Sequence, residues 1–251
     1  MKTLVLGDIH GRICWYDIIA KETPDKIIFL GDYVSTHDGD ITTEQQCSNL
    51  EDILNFKEGF GENCILLRGN HDMQHLNYSW ADCSGYFPRV AKWMVDIKDR
   101  FLKLTQWVYI QDDLLFSHAG ITNEFWEYLN LGEPTKENIL KINDIEPSSL
   151  FGFAPNRLSD YYGDSSTQPL TWVRPITLMQ YHIKDWVQVV GHTRINSPGN
   201  IDDIFKKKNE NRPDWCTIPG LWILDCLPYK YMVIEDGEKQ MKIFCEDEKA
   251  I

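Results

Sequence analysis

The sequence predicts an α/β fold, on three observations. Short apolar runs at Lys2–Leu6, Lys26–Leu30 and Cys64–Leu67 recur along the first part of the chain, each ending at or close to glycine. Between them, WYDIIAKE and EQQCSNLEDILNFKEGF carry apolar residues at helical spacing. That alternation is the pattern of buried strands joined by helices, in which ligands gather where the carboxyl ends of strands meet the following loops.

The later elements follow the same reasoning. FLKLTQWVYIQDDLLFS, from Phe101 to Ser117, alternates β-formers about a QDD turn and predicts a hairpin. NEFWEYLNL and TKENILKIN predict helices, and WVQVVG, LWILDC and YMVIE predict further strands. GFAPNRLSDYYGDSSTQPLTWVRP is rich in Gly, Pro, Ser and Asp and predicts a long, ordered, functional loop. The charged stretch DIFKKKNENRPD predicts an exposed loop.

Composition bounds the function. A chain of 251 residues, 43% hydrophobic, is long enough for one well-buried domain. The net charge of −13 disfavours long nucleic acids as partners. The 7 cysteines are odd in number and lack C-x-x-C spacing, which suits free thiols in a reducing compartment and predicts a cytoplasmic protein. No segment has the roughly 20 apolar residues of a membrane helix, so no membrane partner is expected.

The chemistry-bearing residues lie just after the apolar runs. LVLGDIHGR places Asp8 and His10 there, and FLGDYV places Asp32. LLRGNHD places Arg68, Asn70, His71 and Asp72, LLFSHAG places His118, and VVGHT places His192. Oxygen and imidazole donors at neighbouring strand ends suit manganese, iron or zinc.

The strings GDIHG, GDYV, RGNHD, SHAG and GHT, in this order, resemble the calcineurin-like metallophosphoesterases, and within them the phosphoprotein phosphatases. The resemblance implies a four-layer αββα sandwich of two mixed β-sheets flanked by helices. It is expected to fill residues 1–251 as one domain, with a lid or insertion within 77–100 and 144–182. It further implies two divalent ions, manganese foremost, with iron, zinc or nickel compatible. Asp8 and His10 would hold one ion, Asn70, His118 and His192 the other, and Asp32 would bridge them. Two divalent ions less two carboxylates and a hydroxide leave a charge of about +1, suited to phosphate oxygens. The implied reaction is phosphomonoester hydrolysis by attack of a metal-bridging hydroxide. His71 and Asp32 are then the catalytic pair, with His71 as acid toward the leaving oxygen, while Arg174, Asn70 and Arg68 contact substrate phosphate.

The sequence departs from the family's pattern in three places. The phosphoprotein phosphatase string G-D-x-V-D-R-G is replaced by GDYVSTH, so Ser35 and Thr36 stand where an aspartate supporting the catalytic histidine and a phosphate-binding arginine are expected. Asp38 and Asp72 are the nearest carboxylates that could support His71 instead, and His37 could restore part of the lost positive charge. Arg194 stands at the second histidine of G-H-x-H, and Asp72 stands where phosphoprotein phosphatases usually carry glutamate. Lacking that second histidine resembles both the phosphoprotein phosphatases and the symmetrical diadenosine tetraphosphate hydrolases, whereas Asp72, within GNHDMQHL, and SHAGIT resemble the hydrolases. A protein serine/threonine phosphatase is the first expectation, acting on a phosphorylated protein or a small phosphoester. The alternatives are a symmetrical dinucleoside tetraphosphate hydrolase and a non-catalytic phosphate-binding module. Trp80, Tyr86, Phe87, Trp93, Tyr161, Tyr162 and Trp172 are candidates to wall a substrate groove, with core packing the commoner use of such residues.

Overall fold

A computed structural model describes residues 1–36, 39–153, 165–194, 199–200 and 221–244. His37, Asp38, Tyr161, Tyr162 and the predicted loop DIFKKKNENRPD lie outside the described residues.

One sheet has the order β10 (Glu238–Ile243), β9 (Lys230–Glu235), β1 (Lys2–Leu6), β2 (Lys26–Phe29), β3 (Cys64–Leu66). The other has the order β4 (Val108–Gln111), β5 (Leu114–Ser117), β6 (Val187–Val190), β8 (Trp222–Ile223), β7 (Gly199–Asn200). Within the first, β1, β2 and β3 run parallel and β9 is antiparallel to both β1 and β10. In the second, β5, β6 and β8 run parallel, with β4 and β7 antiparallel at the edges. Both sheets are therefore mixed.

Side-chain alternation decides what each strand buries. Val5, Ile28, Leu30, Ile65 and Leu67 meet Leu114, Phe116, Val189 and Leu224 in one cluster between the sheets. The intervening Leu4, Leu6, Ile27 and Phe29 pack with Trp15, Ile18, Leu50, Ile53 and Leu54 of α1 (Trp15–Glu22) and α2 (Thr43–Phe60). Strands covered on both faces read as unbroken apolar runs, which is why the sequence shows them so clearly. On the far side, Leu178 and Met179 of α8 (Pro175–Tyr181) pack with Val190 and Ile223. The layers are helix, sheet, sheet, helix.

α2 starts where the sequence allows a full capping box, with Gln45 N donating to Thr42 Oγ1 and Thr42 N donating to Gln45 Oε1. The predicted hairpin is confirmed only from Val108 to Ser117. Phe101–Leu104 belongs instead to α5 (Lys98–Leu104), because Phe101 is buried and Arg100 ties this turn to Glu51 and Glu58 of α2 at 2.5 and 2.8 Å. LWILDC pairs over Trp222–Ile223 alone. β10 has no apolar run to announce it, since its exposed positions alternate with half-buried ones at the sheet edge. Cys14, Cys47, Cys64, Cys83 and Cys226 are free thiols. Among the described residues no helix is long and apolar enough to cross a membrane.

Candidate metal centre

The parallel strands of both sheets deliver their ends to one place. Asp8 and His10 follow β1, and Asp32 follows β2. Asn70 opens α3 (Asn70–His75) beyond β3, His118 follows β5, and His192 follows β6. His118 Nε2 lies 3.3 Å from Asp32 Oδ2 and 3.0 Å from Asn70 Oδ1. His192 Nδ1 is 3.0 Å from the same Asn70 oxygen and 3.2 Å from His118 Nε2. On the other side of Asp32, His10 Nε2 is 3.9 Å from Asp8 Oδ2. Asp32 is thus shared by two donor groups, Asp8–His10–Asp32 and Asp32–His118–His192, each with ligand atoms within 4.8 Å of one another.

The backbone gives up comfort for this convergence. His10, Asp32 and His192 adopt φ of 47°, 51° and 64°, the left-handed region that side chains other than glycine seldom occupy. Two glycines make room for the carboxylates. A Cβ on Gly69 would stand 2.0 Å from Asp32 Oδ1, and one on Gly191 would stand 2.0 Å from Asp8 Oδ1. With those paths open, His71 N donates to Asp32 Oδ1 at 2.9 Å and His192 N donates to both Asp8 oxygens at 3.0 Å.

Three imidazoles are aimed by backbone carbonyls. His10 Nδ1 faces Val34 O at 3.1 Å, His118 Nδ1 faces Leu30 O at 2.8 Å, and His192 Nε2 faces Trp172 O at 3.1 Å. A ring nitrogen on a carbonyl must carry the proton, so the neutral form of each ring turns a lone pair inward. His118 Nε2, His192 Nδ1, Asn70 Oδ1 and Asp32 Oδ2 then converge as four acceptors. Such a cluster needs a proton or a metal cation at its centre, and the residues fit a divalent metal with N and O ligands.

The electrostatics agree. Burial drives the Asp8 carboxyl well above the usual range, reinforced by the Asp225 and Asp32 charges. Burial lowers His10 to about 4, and it lowers His192 with help from His118 and Arg174. His118 opposes its burial through Asp32 and rises to about 10, while Asp32, against its own burial, is held far below the usual range by His118 and His71. The metal-free cluster retains a proton where the lone pairs meet.

A cavity of about 480 Å³ opens over these groups, lined by His10, His71 and His192 with Arg12, Arg174, Arg194 and Asp225. Arg174 is steadied by Thr193 Oγ1 at 3.2 Å. Arg68 does not reach this cavity. Its guanidinium is buried over Trp107, donating to Thr105 Oγ1 at 3.0 Å, Leu102 O at 2.7 Å and Thr105 O at 2.8 Å. The expected phosphate contact of Arg68 is therefore replaced by a structural one.

Asp72 is also spent elsewhere, accepting from Gly69 N, Asp32 N and Tyr33 N at 2.8–2.9 Å. It pins the second and third strand-end loops together rather than supporting the His71 ring. The atom beside His71 Nδ1 is Cys83 Sγ, at 3.6 Å, a thiol that burial and Asp32 push up to about 12 and so keep neutral. The Cys83 loop is anchored by its own N–H on Gln74 Oε1 at 2.7 Å and by Ser35 Oγ on Gly85 O at 2.6 Å. Ser35, which replaces the expected aspartate, thus acts on that histidine only through this loop.

Of the aromatic candidates, Trp172 touches the site, with its ring 5.6 Å from that of His192. Tyr86 and Phe87 stack on His75, Trp80 stacks on Tyr78, and Trp93 packs on the core. Arg12, Arg194 as a cavity residue, Asp225 and Cys83 escaped the sequence reading. Asp225 had the same signal as Asp8 and Asp32, an apolar run ending in aspartate.

A two-sheet sandwich whose strand ends gather a shared carboxylate, a second aspartate, an amide oxygen and three aimed imidazoles defines a dinuclear metallohydrolase. The family described as "Calcineurin-like phosphoesterase" matches residues 1–250, and the chain belongs to it. It is a metal-dependent phosphoric ester hydrolase. The symmetrical bis(5'-nucleosyl)-tetraphosphatase of Enterobacter sp. (strain 638) is 27% identical over 240 residues, covering 88% of this chain and 76% of that protein. The Salmonella arizonae protein of the same name is 26% identical over the same shares. Among solved structures, the cold-active protein-tyrosine phosphatase of a psychrophilic Shewanella superposes with TM-score 0.56 at 16% identity, covering 96% of this chain and 77% of that one. A protein serine/threonine phosphatase of Saccharomyces cerevisiae superposes with TM-score 0.53 at 15% identity, covering 100% and 82%. These likenesses confirm the fold expected from the sequence.

Proposed function

We propose that the chain hydrolyses nucleoside polyphosphates, with symmetrical cleavage of a dinucleoside tetraphosphate as the leading reaction. The carrying observation is the set of three guanidinium groups, Arg12, Arg174 and Arg194, around the cavity above the metal-ligand cluster. One phosphomonoester needs one or two arginines, whereas a chain of phosphates can occupy all three. The tetraphosphatase names of the relatives support the same choice. The phosphoprotein reading is carried by the family string alone, because likeness at 15–16% identity speaks to the fold.

In this reading Asp8 and His10 would hold one divalent ion, Asn70, His118 and His192 would hold the other, and Asp32 would be shared between them. Manganese is the first choice to test. When bound, the pair supplies Lewis acidity toward phosphate oxygens and lowers the pKa of shared water to give a nucleophile at neutral pH. The arginines bind and orient the phosphates, and His71 delivers a proton to the leaving oxygen. Cys83 holds the His71 ring in place without adding charge.

The test is a comparison of kcat/KM for diadenosine tetraphosphate and a phosphoserine peptide on manganese-loaded protein, with products resolved by chromatography. Preference for the dinucleotide with ADP as sole product is expected. Preference for the phosphopeptide would return the assignment to the protein phosphatases.

A further inference from the structure

A second cavity, of about 450 Å³, adjoins the first, and the two share Arg12 and Arg194. Its character differs. The first cavity is walled by imidazole and guanidinium groups with one carboxylate, Asp225, whereas the second is faced by Ile13, Ile41, Tyr229 and Phe244. Two of these are tied together, since Phe244 N donates to Tyr229 O at 2.7 Å. Ile13 is 65% exposed on the mouth of the cavity. Asp17 and Asp40 add acceptors to the same wall.

This combination selects its occupant. Two carboxylates repel a further phosphate or an acidic peptide segment, so the chain of phosphates must end at the arginine pair. An apolar wall with acidic acceptors fits a flat, uncharged group that bears N–H and O–H donors and can lie against an aromatic ring. We propose that the second cavity is a nucleoside subsite, in which the base packs between Tyr229 and Ile13 while Arg12 and Arg194 hold the intervening phosphates. The inference rests on the nucleotide reading above and adds the place where the nucleoside is recognised.

The experiment compares ADP with pyrophosphate as inhibitors of nitrophenyl phosphate hydrolysis by the manganese-loaded protein. Calorimetric titration of both ligands gives the same ratio independently of turnover. ADP is expected to bind about tenfold more tightly than pyrophosphate, as one stacked base contributes. Tyr229→Ala and Ile13→Asp are each expected to bring that ratio close to one. The second variant replaces a largely exposed side chain, so a folding failure of the first leaves the question open to it. Equal binding of ADP and pyrophosphate by the wild-type chain, or a ratio unchanged in Ile13→Asp, would overturn the subsite. If the ratio holds but diadenosine tetraphosphate is not cleaved, the substrate proposed above is wrong and the subsite stands.

Discussion

Two buried acidic sites in this protein have different partners. Glu22, at the end of α1, is enclosed by cations and a phenol, with Lys2 Nζ at 2.7 Å, Lys242 Nζ at 3.3 Å and Tyr231 OH donating at 2.6 Å. Burial opposes its ionisation, yet these three partners hold its carboxyl down at about 2. Asp8, Asp32 and Asp225 are also buried, but Asp8 and Asp225 are pushed up by burial and by neighbouring carboxylates, and Asp32 is held ionised by the imidazoles of His118 and His71 rather than by a lysine. Burial alone therefore does not distinguish structure from function. A carboxylate balanced by lysines belongs to the scaffold, and one left to other carboxylates or to titrating imidazoles marks where a cation is to be held.

The comparison can be broken most forcefully at Asp32. Asp32→Asn keeps the shape and removes the shared charge, and activity should fall by about 10³-fold or more with the far-ultraviolet circular dichroism unchanged. Retention of wild-type turnover would refute the bridging role. Arg174→Ala should lower kcat/KM by about 10²-fold through lost phosphate contacts, read from steady-state kinetics. His71→Ala should slow alkyl phosphates about 10²-fold more than nitrophenyl phosphate, because only the poor leaving group needs the proton.

A pH experiment sharpens the contrast between the two sites. His118, raised to about 10 by Asp32 against its burial, must lose its proton to solvent before its ring nitrogen can bind an ion. Manganese affinity should thus strengthen as pH rises toward that value, with proton release measured by calorimetry in buffers of different ionisation enthalpy. Glu22 also weakens in acid, but what it loses is fold stability rather than metal affinity. Its depressed carboxyl stabilises the fold fully above its unfolded value of 4.5, and the contribution is lost as pH falls toward about 2. Glu22→Gln should cost on the order of 2 kcal/mol at neutral pH and leave activity intact, as measured by denaturant unfolding and turnover.

The candidate ligands that converge were legible because each lies in a local string, an apolar strand followed by a donor residue with a glycine close by. The sheet does the rest, since parallel strands place successive strand ends together. The groups that came from other loops were not legible in this way. Cys83 reaches His71 because Gln74 and Ser35 anchor its loop, and no spacing in the chain encodes that contact. Arg68 misled for the opposite reason, because a motif neighbour can turn inward when Thr105 and Leu102 offer it three oxygen contacts. The helical turn at Phe101 was hidden by the β-forming residues around it, since the contact that ties it to α2 is made by Arg100, just outside the predicted string.

The donors of the proposed dinuclear site come from two separate sheets, Asp8, His10, Asp32 and Asn70 from one and His118 and His192 from the other. An ion held by Asp32 and His118 together would consequently be a cross-brace between the halves of the sandwich. Stripping it with a chelator should loosen the seam before it unfolds either face, so that protease nicking at the strand-end loops becomes a sensitive gauge of metal loading.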